Sequence, residues 1–112
     1  MAETFKNAYQ DITSSAATIY TCPSGTTAIV LTLRITNIDG TNDDTITADI
    51  IDSGGSANAR IAYTITVPAD STLIVLGKDA PIYLEESDKI TALASAASDL
   101  EIVISWEELD DA

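Results

Sequence analysis

This sequence predicts an all-β fold: a single-domain antiparallel β-sandwich of about eight strands, jelly-roll or immunoglobulin-like. Three observations carry the prediction. Apolar and polar residues alternate in short runs, with the period of two that sets one face of a strand against a core. Turn residues interrupt the runs at intervals of roughly 8–12 residues. Thr and Ile dominate them, and β-branched side chains suit a pleated surface better than a helix.

The stretch from Ala28 to Asp52 is the clearest. Ile29, Leu31, Leu33 and Ile35 are expected on one face, with Val30, Thr32, Arg34 and Thr36 on the other. Asn37-Ile38-Asp39-Gly40 reads as the turn of a hairpin, and Ile46, Ala48 and Ile50 then alternate with Thr45, Thr47, Asp49 and Ile51. Before this hairpin, residues 1–7 read as a loosely ordered polar arm, followed by a short strand near Tyr9 to Ile12. A further strand over Ala16 to Cys22 stops at Pro23-Ser24-Gly25.

After the hairpin, Ser53 to Ala59 is expected to be a loop, with its paired glycines and small side chains. Ile61, Tyr63, Ile65 and Val67 are placed on one face of the next strand and Ala62, Thr64 and Thr66 on the other, and Pro68 ends it. Short strands follow at Leu73 to Leu76, Pro81 to Leu84 and Lys89 to Ser95. The Ala and Ser run from Ala92 to Ser98 has a helical alternative, weakened by its shortness and lack of caps. Leu100, Ile102, Ile104 and Trp106 form the last inward row.

Composition bounds the function. Eighteen acidic residues against five basic ones give a net charge of −13, which disfavours nucleic acid and anionic membrane as partners, since phosphate neutralisation needs Lys and Arg. No apolar run is long enough for a membrane-spanning helix. Cys22 stands alone, so no disulfide forms within these residues, and it reads as a small buried hydrophobe. The absence of histidine removes Ser-His and Cys-His nucleophile activation and almost every zinc site. Adjacent acids such as Glu85/Glu86 and Glu107/Glu108 point to opposite faces of a strand, so they do not flank one glycosidic bond. No enzyme, catalytic residue or cofactor is expected.

Two acidic stretches remain. Asp39, Asn42, Asp43 and Asp44 crowd one turn and are a weak cation-site candidate, although Gly40 comes too early and no glutamate closes the loop as a helix-loop-helix calcium site requires. An Asx-type turn, whose side chains bond their own backbone, is the alternative. Residues 107–112 read as an acidic solvated tail, or as an arm laid on a neighbouring subunit with Trp106 and Leu109 as anchors.

Several segments together resemble small tailed-bacteriophage virion structural proteins of marine or cyanophage type. They are the strand ending Asn37-Ile38-Asp39-Gly40, the segment Val67 to Leu73, the turn Pro81 to Ile90, the run Ala94 to Ala97 and the closing strand Val103 to Glu107. Where members of that group often carry Gly before the Asp of the acidic turn, this chain has Ser87. The resemblance implies a β-sandwich particle or tail component without catalytic role, in homo-oligomers and with other virion proteins, made in the host cytoplasm and located in the virion. The competing expectation is a carbohydrate- or calcium-dependent adhesin-like binding module using the Asp39 to Asp44 turn.

Overall fold

A computed structural model describes residues 3–52 and 58–110. Among these, the regular elements are nine strands: β1 Glu3–Ile12, β2 Ala17–Thr21, β3 Thr26–Asn37, β4 Asp44–Ile51, β5 Asn58–Val67, β6 Thr72–Leu76, β7 Ile82–Leu84, β8 Lys89–Ala94 and β9 Leu100–Asp110. One sheet has the order β1-β9-β3-β6, with the short β7 also on β3, and the other has the order β2-β8-β4-β5. Every pairing is antiparallel. With β7 set aside and the rest renumbered one to eight, the orders become 1-8-3-6 and 2-7-4-5. That is the jelly roll, and the immunoglobulin-like alternative falls.

Between the sheets lies an aliphatic core. Leu33, Ile35, Ile46, Ile90, Leu100, Ile102 and Ile104 are fully buried, and Trp106 closes one end against Tyr20, with ring centroids 4.3 Å apart. The inward row of β9 is therefore as the alternation predicts, and Cys22 is buried as expected.

The Ala28 to Asp52 hairpin is corrected. β3 and β4 belong to opposite sheets, so the six residues between them arch across the sandwich. A two-residue turn at Asp39-Gly40 needs left-handed backbone, and neither residue adopts it. Asn37, 1% exposed, instead anchors the arch: its Nδ2 donates to the carbonyls of Asn42 and Val67, and its Oδ1 accepts the Asp39 N–H.

The faces of β3 are corrected too. Val30 and Ala28 are buried while Ile29 and Leu31 are half-buried, and past Leu31 the buried residues become Leu33 and Ile35. The cause is a β-bulge: Val30 pairs with Trp106 and Thr32 with Ser105, so Leu31 has no partner on β9 and the alternation changes phase. Deleting Leu31 would restore a regular ladder with every other side chain on its present face. We expect that deletion to leave the fold intact, within about 1–2 kcal/mol of the parent in urea unfolding, while deletion of Ser105 from β9 unfolds the chain. Unfolding by the Leu31 deletion would refute the register.

In β5 the same effect operates twice. Shifts in its pairing with β4 break the expected common face, burying Ala62 and leaving Tyr63 58% exposed, while Ile65 keeps register with Ile46 and is 42% exposed on this end strand. Thr64 takes a left-handed φ of 48°, costly for a β-branched residue, where its N–H donates to Thr47 Oγ1. Ser87, standing where the resembling proteins often have Gly, is also left-handed, with φ 70°.

Both chain ends are corrected. The arm expected over residues 1–7 is strand from Glu3 onward, and Glu107 to Asp110 of the expected tail belong to β9. Each end supplies the ladder that the other lacks: Glu3 faces Leu109 and Ile12 faces Leu100. Residues 1, 2, 111 and 112 lie outside the described residues. So do residues 53–57 of the expected loop, while its last two, Asn58 and Ala59, pair with Ile51 and Ile50.

Candidate functional site

The structure sends the four cation-site candidates in different directions. Asp39 Oδ1 accepts the N–H groups of Thr41 and Asn42, and Oδ2 accepts Asn42 Nδ2. These bonds, the Thr41 N–H first, hold the Asp39 carboxyl below its ordinary pKa. Asp43 turns to the Ala69 N–H at 3.1 Å. Asp44, 2% exposed, directs Oδ1 at the N–H groups of Thr45, Ser95 and Ala96 and at the Ser95 hydroxyl. The carboxylates thus serve as local and long-range anchors for backbone. Among the described residues no group of three or more His, Cys, Asp or Glu stands close enough to hold a metal ion.

A second polar cluster, which the sequence reading did not single out, sits at the Trp106 end. Glu108 Oε2 accepts Tyr20 O–H at 2.8 Å and Trp106 Nε1–H at 2.7 Å, and Oε1 pairs with Lys6 Nζ at 3.2 Å. One carboxylate so joins β1, β2 and β9. Burial raises the Tyr20 pKa, with the Glu108 bond adding to it, which keeps the phenol a donor. Glu108 continues the inward row 100, 102, 104, 106, and that periodicity was the signal available. Cys22 is 1% exposed, and its thiol points at the carbonyls of Thr26 and Leu84. Burial pushes its pKa up, away from a reactive thiolate.

What the surface offers is a sheet edge and a face. β1 is the end strand of its sheet, hydrogen-bonded to β9 on one side. Phe5 and Tyr9 project from its outer side, 69% and 78% exposed. Across the same outer face, registered rows run Phe5, Glu107, Ile29, Tyr83 and Tyr9, Val103, Arg34, Ile74. Four of the seven exposed large hydrophobics among the described residues, Phe5, Tyr9, Ile74 and Tyr83, lie in these two rows.

No family model matches the sequence, and no curated protein matches it. Among solved structures the chain is similar to a subunit of Bacillus endospore appendages, which form disulfide-linked pili. The identity is 18% and the TM-score 0.55, over 99% of this chain and 88% of that one. It is also similar to a pentameric capsid protein isolated from metagenomic phage sequences, at 17% identity and TM-score 0.47, over 88% of this chain and 60% of that one. A third likeness is to a chain of infectious bursal disease virus, Gx strain, at 9% identity and TM-score 0.45, over 96% of this chain and 37% of that one. The appendage subunit shares the fold over nearly its whole length.

Proposed function

We propose that the protein is a non-enzymatic bacteriophage virion structural protein, a capsid decoration or tail- or neck-associated subunit that acts by assembling with copies of itself and with other virion proteins. The observation that carries this reading is the open edge of β1, whose ten residues have backbone groups on one side with no strand beside them among the described residues. Adding a neighbour's strand there makes a specific joint from main-chain bonds alone. The sequence resemblance and the assembly of the appendage subunit into pili support it. Those pili are disulfide-linked, whereas a single buried cysteine cannot chain copies together, so the joint here is noncovalent.

Consecutive residues of a strand direct their N–H groups to opposite sides, so of Asn7→Pro and Ala8→Pro one removes a bond to β9 and the other caps the open edge. The expected result is that the wild-type chain sediments as oligomers, that one variant is destabilised, and that the other melts like wild type yet stays monomeric. A stable proline variant that assembles normally, or a wild-type chain monomeric at every concentration, overturns the reading.

A further inference from the structure

The outer face of β1 and β9 carries a charge pattern that the fold leaves unanswered. Asp11 stands directly opposite Glu101, and Phe5 opposite Glu107, with Glu3 at the near end of the strand. Like charges opposite each other weaken an antiparallel pair. Glu3 and Glu107 already share a hydrogen bond that pushes the Glu107 carboxyl up. The two ion pairs among the described residues, Lys6–Glu108 and Arg60–Asp49, are made elsewhere. The face therefore holds four carboxylates in two pairs, Glu3 and Glu107 at the Phe5 end and Asp11 and Glu101 beyond Tyr9, with Arg34 of β3 as the cation in the Tyr9 row.

Beside Tyr9 opens a cleft of about 510 Å³ lined by Tyr9, Gln10, Asp11, Glu101 and Val103. It joins an aromatic ring, an aliphatic side chain and two carboxylates, a lining that suits the stem and charged head of a lysine or arginine. An exposed apolar face of this kind marks a contact with another protein. A second copy docked through this same face is a poor occupant, because it would bring the same four carboxylates against these.

We propose that this face docks a segment of a different protein that is apolar at its centre and basic at both ends, its cations about 20–27 Å apart along an extended chain to match the two acid pairs. The inference deepens the assembly reading by naming the chemistry of the heterologous partner, and it uses the face of the sheet where self-assembly uses the β1 edge.

The test is a titration of the full chain, followed by backbone amide NMR shifts. The probe is a capped peptide with two lysines at each end and alternating valine and threonine between them. We expect shifts confined to the amides of Phe5 to Asp11 and Glu101 to Glu107. Binding should be at least about ten-fold weaker for the same peptide with glutamates and for lysines without the apolar centre. The Asp11→Asn/Glu101→Gln double variant should weaken it about five-fold, and Asp79→Asn, at an exposed turn outside the face, should leave it unchanged. An equal loss with Asp79→Asn, or shifts spread over the whole acidic surface, reduces the effect to net charge and overturns the proposal. Dilution alone is expected to move β1 amides through the edge joint, whereas shifts of the Glu101 to Glu107 amides of β9 on dilution would assign the face to a second copy and overturn the proposal. Because the peptide needs no self-assembly to bind, a failure here leaves the proline experiment on the β1 edge standing, and the reverse also holds.

Discussion

Replacing Asp44 by alanine is expected to lower the unfolding free energy by about 3–4 kcal/mol, a large share of the roughly 5–15 kcal/mol that holds a domain folded. The side chain is 2% exposed, and its Oδ1 is the acceptor for three backbone N–H groups and a hydroxyl. Two of those amides, of Ser95 and Ala96, belong to the turn after β8, so the carboxylate ties the start of β4 to the end of its neighbour. Alanine strands these donors away from water, and a buried donor left unmade costs its full desolvation. Asp44→Asn keeps the accepting oxygen but places an NH₂ where Oδ2 has no partner among the described residues. Its loss should be smaller, about 1–2 kcal/mol. Urea midpoints at constant slope check both values. An alanine variant within about 1 kcal/mol of wild type would show that the amides find water instead.

The difference between what was legible in the sequence and what was not follows the regularity of the ladders. β8 and β9 run opposite their neighbours residue for residue over most of their length, so Ile90, Ala92 and Ala94, and Leu100 through Trp106, are buried as their alternation predicts. β3 and β5 contain extra residues. A glycine would have flagged a bulge, but the extra residue in β3 is Leu31, whose side chain reads as one more beat of the period. The jelly roll was one of two sandwich topologies that the strand count allowed. It is decided by contacts far apart in the chain, β1 with β9 and β2 with β8, which local periodicity does not encode. The ends show this most clearly: Glu3 to Asn7 and Glu107 to Asp110 each look solvated alone and become strand only against each other. At the Asp39 to Asp44 turn the residue types were legible, but the backbone amides that each carboxylate would choose were not. The exposed face with Phe5 and Tyr9 was hidden for the reason that the arm was misread.

Glu108→Ala is expected to cost about 3 kcal/mol, because it leaves the Tyr20 hydroxyl and the Trp106 N–H at a half-closed end of the core and frees Lys6 of β1. Glu108→Gln keeps an acceptor and should cost about half as much. The charge itself has a pH signature. Burial alone would raise the Glu108 pKa, but the bonds from Trp106, Tyr20 and Lys6 outweigh it and hold the carboxyl below its ordinary value of 4.5. A carboxyl depressed on folding contributes stability that is present above the unfolded pKa and is lost as pH falls through the lower folded value. The stability difference between wild type and Glu108→Gln should therefore be constant from about pH 7 to about pH 5 and shrink below about pH 4. Comparing the two proteins at each pH cancels the other acids, Asp39 among them, whose carboxyl is depressed by its own turn. A difference that persists undiminished at about pH 3 would mean that shape, not charge, is what Glu108 contributes, and that β1 is held at this end by packing rather than by the Lys6 pair.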